Sequence, residues 1–141
     1  MFIQRFEEII ILTNGVKLIS LTDQIEKFVK SSEIKNGILN ISILHTSASL
    51  IIQENADLDV QKDLINFYDK LAPMNNDLYI HSTEGKDDMP AHIKSSLTNT
   101  NLTLSVKNFK VQLGNWQGIF LFEHRLESQK RKVSLHLLGE L

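Results

Sequence analysis

The run G-I-L-N-I-S-I-L-H-T-S-A-S-L-I-I-Q, residues 37 to 53, decides the fold class. Leu39, Ile41 and Ile43 alternate with Asn40, Ser42 and Leu44, and a period of two marks a strand with one face toward a core. The same phase carries His45 onto the apolar face, and Ala48 to Gln53 continues as a second extended piece. Toward the C-terminus, Leu102, Leu104 and Val106 alternate, Lys107-Asn108 reads as a turn, and Phe109, Val111 and Leu113 alternate again, which predicts a hairpin. Gly118 to His124 interleaves Ile119, Leu121 and Glu123 with Phe120, Phe122 and His124, while Val133, Leu135 and Leu137 form a closing strand. Toward the N-terminus, residues 2 to 12 are rich in β-branched and aromatic types. Asn14-Gly15 then leads into Val16 to Ser20, so an opening hairpin is expected.

Three segments change to helical spacing. Ile25, Phe28 and Val29 form a stripe with Thr22 or Asp23 as cap, ending around Ser31-Ser32. Val60, Leu64, Phe67 and Leu71 form a longer one, capped by Asn55 or Asp57 and stopped by Pro73. A short third helix takes Asp88 as cap and Pro90 in its first turn, with Met89, Ile93 and Leu97 on one side and Asp88, His92 and Ser96 on the other. Strands joined by short turns with intervening helices predict one α+β domain with a mostly antiparallel sheet. Periodicity leaves open whether that sheet is a single layer, a sandwich or a near-barrel.

Composition narrows the function classes. At 141 residues with 42% hydrophobic and 23% charged residues, the chain has the makings of a single globular core. A net charge of -2, with basic residues dispersed except at Lys130-Arg131-Lys132, argues against a nucleic-acid partner. With no cysteine, any metal must be held by His, Asp, Glu or water. No apolar run approaches the roughly 20 residues that span a bilayer, and no signal-peptide pattern is present, so a cytoplasmic protein without a membrane partner is expected.

Residues 81 to 92, H-S-T-E-G-K-D-D-M-P-A-H, gather imidazoles and carboxylates, the groups that bind divalent metals and move protons near neutral pH. Asp88 and His92, four apart, fall on one helical face, with His81 and Glu84 on the preceding strand end and loop. Helix capping by Asp87 and Asp88 is the plainer account. Two other polar residues stand where the pattern wants apolar ones. His45 is either a satisfied core histidine or a residue held at a pocket, and Glu123, in phase with Ile119 and Leu121, must be paired, solvated or metal-bound. Glu54-Asn55-Ala56-Asp57 reads as a capping segment that could also receive an anion, and Gly114-Asn115-Trp116-Gln117-Gly118 as a bulge whose Trp116 and Gln117 could meet a heteroaromatic ring.

H-T-S-A-S-L at 45 to 50, E-N-A-D at 54 to 57, the His81 to Ser96 segment, G-N-W-Q-G-I and E-H-R at 123 to 125 together resemble the YjbQ-like family, nearly end to end. The resemblance implies a small α+β domain that assembles as a homotrimer. It also implies secondary thiamine-phosphate synthase-like activity: joining hydroxymethylpyrimidine pyrophosphate, a small phosphorylated heterocycle, to thiazole phosphate with a divalent cation, Mg or Zn. Asn115 replaces the family's usual threonine and Gln53 its usual asparagine, changes that bear on substrate placement. On this reading His45, His81, His92, Glu84 and Asp87 are candidate metal ligands, with His45, Asp88 and Glu123 as catalytic or site-orienting groups. Ser47, Glu54, Asn55, Lys94, Trp116, Gln117, Arg125 and Arg131 are candidate substrate contacts. A metal-dependent phosphoester hydrolase and a non-catalytic metal- or metabolite-binding trimer use the same residues.

Overall fold

The predicted strands divide between two antiparallel sheets. The structure is a computed structural model describing residues 1–141. In chain order it contains β1 (Phe2–Thr13), β2 (Lys17–Ser20), α1 (Thr22–Ser31), β3 (Asn36–Ile43), β4 (Ala48–Glu54), α2 (Leu58–Leu71), a 3₁₀ turn (Asn76–Leu78), α3 (Asp88–Leu97), β5 (Asn101–Lys107), β6 (Lys110–Val111), β7 (Gln117–Glu123) and β8 (Gln129–Glu140). The five-stranded sheet has the order β1-β8-β3-β5-β6, and the three-stranded sheet β2-β7-β4. Leu39, Ile41 and Ile43 of β3 and Val133, Leu135 and Leu137 of β8 meet Ile119 and Leu121 of β7, Ala48 and Leu50 of β4, and Ile25 and Val29 of α1 in one core. Burying each such aliphatic side chain contributes about 1.5–3 kcal/mol, so this layer is the main source of stability.

β7 is buried on both faces, which explains its unbroken apolar run. Ile119 and Leu121 face the main core, whereas Phe120 and Phe122 join Leu18 in a second cluster covered by Ile65 and Tyr68 of α2. Gly37 and Gly139 pair directly where β3 and β8 cross. A Cβ on Gly139 would lie 2.2 Å from Asn36 O, so no other residue fits that approach without moving backbone.

Several expectations need correction. The opening hairpin does not form, because β1 pairs with β8 and β2 with β7, and Gly15 at φ 88° turns the chain from one sheet to the other. The strand expected over 109–113 shrinks to Lys110–Val111, with Asn108 and Phe109 forming the turn. In α2 the predicted stripe is rotated: Phe67 and Leu71 are exposed, and Ile65 and Tyr68 do the packing. In α3 the inward residues are Asp88, Ala91, Lys94 and Ser95, not Met89, Ile93 and Leu97. Asp88 does not cap α3, and Thr22 does not cap α1; the Thr22 hydroxyl instead accepts from Ile119 N at 2.9 Å. Asp57 does cap α2, accepting from Asp59 N. No helix is long and apolar enough to cross a membrane.

Candidate functional site

At one end of the sandwich the β3–β4 connection, the loop before α3, α3 itself and the β7–β8 turn come together. Their meeting is fixed by Glu123 at the end of β7, which is fully buried. Its Oε1 accepts from Arg131 Nε at 2.7 Å and Thr13 Oγ1 at 2.6 Å. Its Oε2 accepts from Arg131 Nη2 and from the amides of His124, at 3.0 Å, and Arg125, at 3.2 Å. Arg131 Nη2 also reaches Ser47 O and Oγ at 3.1 and 3.0 Å, which ties the β3–β4 connection to the same pair.

Two residues past Glu123, Arg125 turns outward and forks over two acids. Its Nε donates to Asp87 Oδ2 at 2.9 Å, its Nη1 to Asp88 Oδ1 at 2.7 Å and its Nη2 to Glu84 O at 3.1 Å. Leu126 N adds a bond to Asp87 Oδ2 at 2.9 Å. Gly85, at φ 106°, gives the loop the left-handed turn that delivers these acids. The other oxygen of Asp88, Oδ2, lies 2.6 Å from His81 Nε2 and 3.0 Å from His92 Nε2. One ligand atom from each of His81, Glu84, Asp88 and His92 lies within 4.8 Å of the others.

Hydrogen-bond chemistry constrains this group. His92 Nδ1 is 2.9 Å from Thr46 O, and since a carbonyl only accepts, Nδ1 carries the hydrogen. His92 Nε2 can then face the Asp88 carboxylate only across a proton or a metal ion. An Nδ1–H held by a backbone carbonyl with Nε2 aimed into a cluster is the arrangement that orients metal-ligating histidines. The donor set, two imidazoles and two carboxylates in a partly open position, fits zinc or another borderline divalent ion better than magnesium, which prefers oxygen.

Electrostatics follow the same contacts. The hydrogen bond to Asp88 holds the His81 imidazole above its usual pKa, against a smaller opposing effect of burial. Desolvation pushes Asp88 up, but the hydrogen bond from His81 and the His92 and Arg125 charges outweigh it and hold it below the usual range. Asp87 is lowered in the same way: desolvation opposes, and Leu126 N and Arg125 prevail.

The remaining candidates separate from this cluster. His45 does not converge with His81 and His92, because its Nε2 accepts from Lys132 N at 2.8 Å and is spent as a ligand. Burial, then the Arg131 charge, lower its pKa, and it shares with His92 the wall of a cavity of about 280 Å³. Asp87 is engaged by Arg125 and stands outside the four-residue group. Glu123 and Arg131 form a buried scaffold rather than substrate contacts, and half-buried Ser47 is engaged by Arg131 Nη2. Lys94, only 1% exposed, pairs with Asp69 of α2 at 2.6 Å and cannot reach a phosphate. Glu54 accepts from Asp57 N at 2.8 Å, Asn55 Nδ2 donates to Gln117 O, and Gln117 Oε1 accepts from Gly114 N at 2.6 Å. These residues and the exposed Trp116 sit at the far end of the β4–β7 pair from Ala48 and Glu123.

Sequence reasoning passed over His124 as a site-shaping residue. It is fully buried, its Nε2 lies 2.9 Å from Ser49 Oγ, and its Nδ1 has no partner. Burial, then the Lys94 and Arg131 charges, push it down to about 3. Its adjacency to Glu123 was the one available signal. A cavity of about 600 Å³ opens beside His81, lined by Leu78, Tyr79, Ile80, Ser82, Thr83 and Met89.

The model of the UPF0047 protein YjbQ-like family matches residues 7–140. The chain belongs to this family. It is 46% identical over 140 residues to a UPF0047 protein of Synechocystis sp., covering 99% of this chain and 95% of the relative. It is 44% identical over 121 residues to the UPF0047 protein YjbQ of Salmonella typhimurium, covering 85% and 87%. The crystal structure of a YbjQ-like protein of Sulfolobus solfataricus P2 superposes with a TM-score of 0.92 at 26% identity, covering 99% of this chain and all of that one. The family fold is thus the two-sheet arrangement described above.

Glu123→Gln leaves Arg131 buried without a counter-charge and should cost about 3–5 kcal/mol, measured by urea denaturation, with Arg131→Met in the same chain recovering most of the loss. Burial pushes the His124 imidazole down to about 3 in the folded chain, against the ordinary histidine value of 6.5 that it regains on unfolding. Its contribution to stability is therefore present above pH 6.5 and lost as pH falls toward 3. The slope for one proton is about 1.4 kcal/mol per pH unit. Urea midpoints between pH 7 and 4.5 should fall steeply in the native protein and less in His124→Gln.

Proposed function

We propose that the chain is a metal-assisted transferase of the secondary thiamine-phosphate synthase type, joining hydroxymethylpyrimidine pyrophosphate to thiazole phosphate. The observation that supports this reading is the convergence of His81, Glu84, Asp88 and His92 within 4.8 Å beside a cavity of about 600 Å³. In this reaction the thiazole nitrogen bonds to the pyrimidine methylene carbon as the carbon–oxygen bond to pyrophosphate breaks. The electron pair of that bond leaves with the pyrophosphate oxygen. A divalent cation, when bound, neutralises the growing charge on that leaving group.

The chain's own residues supply the rest. His81 and His92 provide nitrogen donors, Asp88 and Glu84 oxygen donors, and Arg125 fixes the angle of Asp88 through Oδ1. Leu78, Tyr79, Ile80 and Met89 give the cavity apolar walls suited to a heteroaromatic ring, and Ser82 and Thr83 add hydrogen-bonding groups. Arg125, Arg131 and Lys94 are each paired within the chain, so charge neutralisation of pyrophosphate rests on the cluster. One observation favours a second reading, metal-dependent phosphoester hydrolysis: the His81 and Glu84 side chains are 41% and 63% exposed, which admits water.

The purified protein should form thiamine phosphate from the two precursors with zinc or magnesium. His92→Ala should reduce the rate at least a hundredfold, and Arg125→Gln should weaken metal binding about 10–100-fold. Metal affinity should rise with pH through the raised pKa of His81, above 6.5, because the ion displaces its proton. Turnover at the no-enzyme background, or hydrolysis of phosphoesters without the thiazole acceptor, would rule against the synthase.

We also propose a homotrimer. β1 is a 12-residue edge strand bearing Phe2, Phe6 and Leu12, which are 74%, 66% and 78% exposed. Light scattering should give three times the 16.1 kDa chain mass, and a monomer at micromolar concentration would refute it.

A further inference from the structure

Far from the histidine cluster, backbone strain concentrates in one corner. Three non-glycine residues have a left-handed backbone: Glu33 at φ 64°, Asn108 at φ 52° and Phe109 at φ 64°. They are neighbours in space. Phe109 N donates to Lys35 O at 2.9 Å and Asn108 N to Asn36 Oδ1 at 3.1 Å, so the β5–β6 turn is clamped to the α1–β3 connection. Asparagine tolerates this conformation, but a bulky aromatic there is a strained outlier at a position where such turns take glycine. Phe109 remains 42% exposed, so core burial does not account for it. Strain of this kind collects at ligand sites.

The ring borders a cavity of about 280 Å³ shared with Glu26, Lys27 and Lys30 of α1, Asn108 and Lys110. The three lysines are exposed and form no ion pair within the chain. Glu26 is turned toward the backbone, accepting from Val111 N at 3.4 Å. One aromatic side chain, three lysines without an ion-pair partner and the single carboxylate of Glu26 thus surround one hollow, a local excess of positive charge on a chain whose net charge is -2.

We infer that this corner binds a small phosphorylated heteroaromatic compound of the nucleoside-phosphate class, its ring against Phe109 and its phosphates among Lys27, Lys30 and Lys110. A bare anion would have no use for the strained ring. A polyanion would be repelled by the acidic remainder of the chain, and the hollow accommodates a single base. The site lies near Asn36 and the cluster near Thr46, at opposite ends of β3, roughly 25 Å apart at ~3.3 Å per residue. It is therefore separate from the chemistry proposed for the histidines.

Calorimetric titration of the full chain in EDTA with ADP, inorganic pyrophosphate and adenosine separately tests the assignment. ADP should bind more tightly than either fragment. Phe109→Gly should weaken ADP at least tenfold without lowering Tm, and Phe109→Asn, which suits the turn, should do the same. Lys27→Glu with Lys30→Glu should weaken ADP and pyrophosphate alike. The assignment is overturned if ADP shows no binding at millimolar concentration, or binds both Phe109 variants as it binds the native chain. Pyrophosphate binding as tightly as ADP would reduce the corner to a cationic surface, and tighter binding of a short single-stranded RNA would replace the small-molecule class.

Discussion

The buried pair of Glu123 and Arg131 joins the two sheets, since Glu123 ends β7 in the three-stranded sheet and Arg131 begins the buried part of β8 in the five-stranded one. Burying two charges is tolerable only when their remaining bonding capacity is met, and here every carboxylate oxygen has at least two donors. The pair fixes where the chain leaves β7, and Arg125, two residues on, inherits that direction. Had β7 ended one residue earlier or later, the guanidinium would point to the opposite face and could not fork across Asp87 and Asp88. The site is thus an extension of the sheet-to-sheet junction.

α3 shows how polar contacts can dock a helix. Its inward face carries Asp88, Lys94 and Ser95, which bond to Arg125, to Asp69 of α2 and to Ala48 O. Beneath them, Ser49, His124 and Thr98 form a second polar layer, with Thr98 Oγ1 2.6 Å from Ser49 Oγ. Such a network stabilises less than an equal area of packed aliphatic groups, but it admits one orientation only, because any slip strands a buried charge. That orientation is what puts the His92 ring between Thr46 O and Asp88 Oδ2.

Much of this was legible in the sequence. The alternation of Leu39, Ile41 and Ile43, the α1 stripe and the inward phase of Glu123 all survive, because core burial and side-chain period are the same constraint seen twice. The Asp88–His92 spacing was equally readable. The α3 docking face was not, since its stripe of Met89, Ile93 and Leu97 suggested apolar packing while the core under it is polar. Sheet partnership was also hidden: a local turn signal at Asn14-Gly15 cannot say that β1 and β2 belong to different sheets. Lys94, Arg131 and His45 looked available because sequence shows a residue's charge but not its partner, and each partner, Asp69, Glu123 and Lys132 N, is remote in the chain.

Charge balance gives the cluster its direction. Glu84, Asp87 and Asp88 bring three negative charges and Arg125 one positive, which leaves two negative charges facing two imidazoles at a surface open to solvent. That excess can be met in two ways. Protons on the histidines neutralise it but spend the nitrogen lone pairs that face Asp88 and Glu84. One divalent cation neutralises it while using those same lone pairs, together with the carboxylate oxygens already pointed at them. The two states compete for the same atoms, so occupancy by an ion and by protons are linked. Arg125 cannot substitute for either, because both of its anionic contacts lie on the outer edge of the acids and leave Asp88 Oδ2 facing the histidines. The guanidinium holds the carboxylate in place, and the unmet charge determines what the pocket attracts.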